Sequence, residues 1–172
     1  MANGTLDPQA AASMRANIEQ LRAMVEAGGP GVLEAVDAKN RAAIVAGWKE
    51  IGAAQTDRTI ETFVNVLWET MCRPDGLQFT AAVEPGKMQM HCTYCPWVEV
   101  AKAAGSTEIG FHLLCKSDEA MIAGFNQAAG PGEKQIVFTR TKTLMQGDDY
   151  CDHTYTYAAG STLPTPSSIR TE

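Results

Sequence analysis

At 172 residues, 45% hydrophobic and 20% charged, the chain is long enough to bury a substantial core and has an ordinary globular balance. A formal net charge of −6 with no lysine–arginine cluster excludes the electrostatic footprint of a nucleic-acid binder. No apolar run approaches the roughly 20 residues that cross a bilayer, and Met1 to Ala12 lack the basic-then-apolar order of a secretory leader, so a cytoplasmic protein without a membrane partner is expected.

Residues 1–6 read as a flexible N-terminus. Asp7-Pro8 then reads as an N-cap followed by proline at the first helical position. Met14, Ile18, Leu21 and Val25 recur at helical spacing until Gly28-Gly29-Pro30-Gly31 stops the helix. A second helix is predicted over Val32–Ala53. Thr56 is expected to cap a third, whose core stripe is Ile60, Phe63, Val64, Leu67, Trp68 and Met71. The period then changes to two. Leu77–Val83 and Lys87–Tyr94 flank Glu84-Pro85-Gly86 as a hairpin. Helix is predicted again over Pro96–Ala104, over Ile109–Leu114, and from Ser117 to near Asn126. Gln135–Leu144 and Tyr150–Ala158 read as two strands around Gly147-Asp148-Asp149. Residues 160–172 read as a disordered tail, which leaves 7–159 as a single domain. Strands paired locally, without crossover helices, predict an α+β fold: N-terminal helices on an antiparallel sheet of two hairpins, with short helices between them.

The chemistry gathers around the thiols Cys72, Cys92, Cys95, Cys115 and Cys151. An odd number without an export signal argues for reduced cysteines rather than a disulfide framework. Cys95 stands directly before Pro96, at an expected helix start, where unpaired N–H groups and the helix dipole favour thiolate. Cys92 and Cys95 form C-x-x-C without the βαβ context of a redox motif. Cys115 and Cys151 are singletons rather than the second close pair a zinc site wants, so no metal ligands are assigned. Cys115 and Asp118 are spaced to share a helix face, although Cys115 can equally pack with Phe111 and Leu114 while Asp118 serves the next helix start. On a strand, Cys151 and His153 point to one face and Asp152 to the other. Arg140 and Lys142 likewise share a face if their run is a strand, where Arg140 suits a substrate carboxylate.

Several of these segments together resemble the L-2-amino-thiazoline-4-carboxylic acid hydrolase family. They are Leu67-Trp68-Glu69, Cys95-Pro96-Trp97-Val98-Glu99, Cys115-Lys116-Ser117-Asp118, Gly124-Phe125-Asn126 and the run from Phe138 to Asp152. The resemblance spans about Trp48 to Tyr157. Its polar signature is Cys95, Glu99, Cys115, Asp118, Arg140, Asp149, Cys151 and Asp152; His91 and Cys92 precede it and His153 falls outside it. The resemblance implies water-driven opening of a small cyclic amidine to a carbamoylated cysteine. On that expectation Cys95, Asp118, Cys151 and Asp152 are catalytic, and Arg140, Cys115 and Glu99 bind substrate. The other reading is a non-catalytic domain that binds or senses a metal or small ligand through the same cysteines. Both imply a small-molecule partner, leave the cofactor unassigned and are compatible with a homo-oligomer.

Overall fold

Helix α1 (Pro8–Gly28) begins where the sequence places it. The Asp7 carboxylate accepts from the N–H groups of Gln9 and Ala10 at 2.7 and 2.9 Å, and Met14, Ile18 and Leu21 form the buried stripe. The computed structural model describes residues 4–159. The expected flexible start lies partly, and the expected disordered tail wholly, outside the described residues.

Helix α2 (Gly31–Ala53) buries Leu33, Trp48 and Gly52. Helix α3 (Ile60–Val64) is capped by Thr59 rather than Thr56: the Thr59 hydroxyl accepts from the Thr62 N–H at 3.2 Å. Asp57 decides this, because its carboxylate takes both the N–H and the hydroxyl of Thr59, at 3.2 and 2.8 Å, and so holds the turn. The chain then widens into a π-helical stretch, Asn65–Cys72, with the Arg73 N–H donating to the Trp68 carbonyl at 2.8 Å. Helix α4 (Pro96–Ala103) follows β2. Helix α5 (Thr107–Gly110) also runs on as a π-helical stretch, Phe111–Cys115, closed by a 3.0 Å bond from the Lys116 N–H to the Phe111 carbonyl. Such wide turns recur at functional sites, and these two carry Trp68, Cys72, Leu114 and Cys115. Helix α6 (Ser117–Gln127) packs on α2, and Gly124 sits where an added Cβ would lie 2.4 Å from the Val45 carbonyl oxygen.

The four strands form one antiparallel sheet in the order β1-β2-β4-β3: β1 (Gln78–Glu84), β2 (Lys87–Tyr94), β3 (Ile136–Thr139) and β4 (Cys151–Tyr157). The α+β architecture is therefore as expected, with N-terminal helices preceding the strands. The third strand is shorter than the predicted Gln135–Leu144. Past Thr139 the Asp152 carboxylate captures the N–H groups of Thr141 and Lys142 at 2.8 and 2.5 Å and the Thr141 hydroxyl at 2.6 Å. Donors that would extend a ladder are thereby taken by a side chain. Arg140 and Lys142 thus do not share a strand face. The connection to β4 contains a 3₁₀ turn, Leu144–Gln146, and bends at Gly147, whose φ of 95° suits glycine.

Alternation along β2 buries Met88, Met90 and Cys92, and along β4 it buries Cys151, His153 and Tyr155. This face packs against Phe63, Trp68 and Phe125 in one core cluster, while α1, α4 and α5 close a second around Ile18, Ala101 and Met145. Cys95, Trp97 and Leu144 pack against both clusters. No helix among the described residues is long and apolar enough to cross a membrane.

Candidate functional site

The two clusters leave a cavity of about 160 Å³ between them, and all five cysteines line it. All five are free thiols. Apolar walls come from Leu67, Trp68, Trp97, Val98, Met121 and Met145, and the polar groups are Asp118, Arg140, Thr143 and His153. Each arrives for a local reason. Cys72 and Cys115 end the two π-helical stretches. Cys95 is the residue before Pro96, at the junction of β2 and α4. Asp118 opens α6. Cys151 and His153 alternate onto the buried face of β4, and the sheet sets Cys92 directly opposite Cys151 and Met90 opposite His153.

The thiols differ in their surroundings. The Leu144 N–H donates to the Cys151 sulfur at 3.2 Å. The neighbouring Cys92 thiol, that backbone N–H, the nearby His153 and the Thr143 hydroxyl together outweigh burial and bring Cys151 down from 9.0 to about 6. Cys92 moves the opposite way: the facing Cys151 and burial keep its proton in place. Its S–H donates to the Tyr94 carbonyl at 3.3 Å. Burial pushes Cys95 up to about 11, and the N–H groups of Trp97 and Val98 offset this only in part. Burial, reinforced by Asp118, pushes Cys115 up to about 12, and burial also holds Cys72 above the ordinary thiol range. Cys95 therefore lies at the helix start and on the cavity, yet ionisation is favoured at Cys151. Desolvation of a thiol this enclosed exceeds what a helix start supplies.

Beside Cys151 runs a line of charge. Oδ2 of Asp118 pairs with Nη1 of Arg140 and lies 3.2 Å from Nε2 of His153. Arg140 also donates from Nη1 and Nη2 to the Cys115 carbonyl, each at 3.2 Å. Its three bonds leave further N–H groups on a five-donor guanidinium. The His153 ring meets Trp68 edge-on, with centroids 4.9 Å apart, and lies tilted against Phe138 at 5.5 Å. Its Nδ1 is buried without a hydrogen-bond partner. An imidazole with one nitrogen held by a carboxylate and the other free can pass a proton.

Of the residues expected in a site, Cys95, Cys115, Asp118, Arg140 and Cys151 come together on this cavity. Two do not. Glu99 is exposed and pairs with Lys102 at 3.1 Å on the surface of α4, because it lies on the helix face turned from Val98 and Ala101. Asp152 points to the opposite face of β4 from Cys151 and clamps the backbone after β3. The sequence reading left His153 outside the signature and gave Cys92 no role. For His153 the signal was its shared strand face with Cys151; for Cys92 it lay in a pairing between separate hairpins.

A larger hollow of about 360 Å³ adjoins this cavity and shares Cys115, Ser117 and Arg140 with it. In it Oδ2 of Asp37 is bonded to His112 at 2.8 Å and to Lys116 at 2.9 Å, while Oδ1 of Asp37 is buried without a hydrogen-bond partner. Among the described residues no group of three or more His, Cys, Asp or Glu side chains is arranged to hold a metal ion.

The family model described as L-2-amino-thiazoline-4-carboxylic acid hydrolase matches residues 9–155. The match covers most of the chain and reaches back through α1 and α2, beyond the stretch in which the motifs were read. No curated protein and no solved structure matches the chain.

Proposed function

The chain belongs to the L-2-amino-thiazoline-4-carboxylic acid hydrolase family, and on that premise we propose that it opens a small anionic heterocycle of the 2-amino-thiazoline-carboxylate type, breaking a carbon–nitrogen or carbon–sulfur bond, with Cys151 as the nucleophile. The observation that carries this reading is the Cys151 sulfur, drawn down to about 6 on the wall of a small cavity beside His153 and Asp118. A thiolate near neutral pH is the reactive form of cysteine.

The steps follow from the groups present. The thiolate adds to the amidine carbon between ring sulfur and ring nitrogen. One of the two ring bonds to that carbon breaks, and the departing atom needs a proton. His153 supplies it, with Asp118 holding the imidazole and stabilising its charged form. Water then adds to the same carbon, His153 takes a proton from it, and the Cys151 sulfur leaves. One water is consumed and a carbamoylated cysteine is released. The remaining N–H groups of Arg140 face the substrate carboxylate. Cys95 and Cys115 stay protonated and shape the apolar wall. A cavity of about 160 Å³ suits a single small ring rather than a drug-sized ligand.

The test is direct incubation of the purified protein with 2-amino-thiazoline-4-carboxylate, with the carbamoylated product followed by mass spectrometry. Turnover that falls by about 10³-fold or more in Cys151→Ala supports the reading. Absence of turnover in the wild-type protein, or full turnover in Cys151→Ala, overturns it.

A further inference from the structure

The site holds a second thiol that the proposed hydrolysis does not use. Cys92 stands directly opposite Cys151 on the neighbouring antiparallel strand. Residues opposite one another in such a pair have Cα atoms about 4.5–5.5 Å apart, inside the roughly 4.4–6.8 Å that a disulfide spans. Both side chains lie on the same face of the sheet and both line the cavity.

We propose that Cys151 and Cys92 form a peroxide-sensitive pair, in which oxidation of Cys151 is captured by Cys92 as a cross-strand disulfide that shuts the site. The inference rests on Cys151 being the reactive thiol of the proposed function. The oxidant is hydrogen peroxide, small enough to enter a cavity of this size. The Cys151 thiolate attacks one peroxide oxygen; an S–O bond forms, the O–O bond breaks and hydroxide leaves. Cys151 is now a sulfenic acid and the peroxide has been reduced. The Cys92 sulfur attacks the sulfenic sulfur; an S–S bond forms, the S–O bond breaks, and the Cys92 proton leaves with the hydroxyl group as water. In sum, two thiols and one peroxide give one disulfide and two waters.

The order of events has an electrostatic reason. While Cys151 is anionic, its charge and the burial of Cys92 keep Cys92 protonated, so Cys92 is quiet. A neutral sulfenic acid removes that anion and frees Cys92 to react. Cys95 and Cys115 share the cavity, but neither stands in register with Cys151. A rapid disulfide spares Cys151 from the irreversible sulfinic and sulfonic stages, and a thiol reductant restores the nucleophile.

The experiment uses the whole purified protein, treated with a small excess of hydrogen peroxide, denatured and alkylated. Two of the five thiols are expected to resist alkylation, with a mass loss of about 2 Da that dithiothreitol reverses. Cleavage after Tyr94 separates Cys92 from Cys95, so peptide mapping identifies the linked pair as Cys92 and Cys151. Five alkylated cysteines after peroxide, an over-oxidised Cys151 with Cys92 still free, or a link from Cys151 to Cys95 or Cys115 would each overturn the proposal. The readout is mass, not turnover. A Cys92–Cys151 link in a protein that opens no thiazoline ring sinks the hydrolase reading alone, and ring opening without that link sinks this one alone.

Discussion

Oδ2 of Asp118 lies 3.2 Å from Nε2 of His153 and is also the oxygen that pairs with Arg140. One carboxylate thus anchors the imidazole and the guanidinium from the start of α6. Both partners are largely enclosed, with side-chain exposures of 9% for His153 and 11% for Arg140. Asp118→Asn keeps the shape and removes the charge. Turnover of the thiazoline ring is expected to fall by about 10²- to 10⁴-fold, the usual loss when a general acid–base group is disabled. Steady-state kinetics on the folded variant measure this, and a kcat within twofold of wild type contradicts the role.

Arg140 makes three hydrogen bonds that a lysine cannot copy, since an ammonium group lacks the planar fork. Arg140→Lys is expected to raise KM for the carboxylated ring by about tenfold or more, the weight of one charge-assisted hydrogen bond. A ring analogue lacking the carboxylate serves as the control, because its KM should change little. An equal rise for both would assign Arg140 to holding Asp118 rather than to substrate.

Cys151 also makes stability depend on pH. Unfolded, it ionises near 9.0, and folded at about 6. Below the lower value it is protonated in both states and contributes nothing. Between the two, folding releases a proton, so stability grows with pH; the contribution is complete above about 9 and is lost as pH falls toward about 6. Cys95 and Cys115, raised to about 11 and about 12, act in the opposite sense and only above about 9. Urea unfolding of wild type and Cys151→Ala, under reducing conditions, should show a gap that widens between about pH 6 and about pH 8.5. A gap that is flat across that window contradicts the ionised thiol.

Asp152 holds the chain after β3 through the N–H groups of Thr141 and Lys142 and the Thr141 hydroxyl. Asp152→Ala is expected to cost about 1–3 kcal/mol of stability, summed from hydrogen bonds of modest net strength. Any loss of activity should follow from a loosened Arg140 and appear in KM. Unchanged urea midpoints, or a collapse of kcat with intact KM, would contradict this structural role.

The parts of the fold that rest on local chemistry were legible. Asp7-Pro8 and Cys95-Pro96 mark two helix starts because capping and proline geometry act within a few residues. The alternation that puts Cys151 and His153 on one face is a property of any strand. What was not legible depends on distant partners. The threonine-rich run after Phe138 alternates like a strand, yet a carboxylate across the loop diverts it. The facing of Cys92 and Cys151 follows from β2 and β4 being neighbours, a choice between hairpins that neither hairpin encodes. Burial separated the thiols: Cys95 has the better local position for ionisation, but it sits between two hydrophobic clusters.

The central claim is that Cys151, rather than Cys95, carries the thiolate. Its most direct measurement is the rate at which each cysteine of the native, reduced protein reacts with iodoacetamide as a function of pH, resolved by peptide mass spectrometry. Cys151 is expected to react first, with a rate that rises through a midpoint of about 6, while Cys95 stays slow until strongly alkaline pH. A rate at Cys151 that rises only near the ordinary 9.0, or alkylation of Cys95 ahead of it at neutral pH, would contradict a thiolate at Cys151.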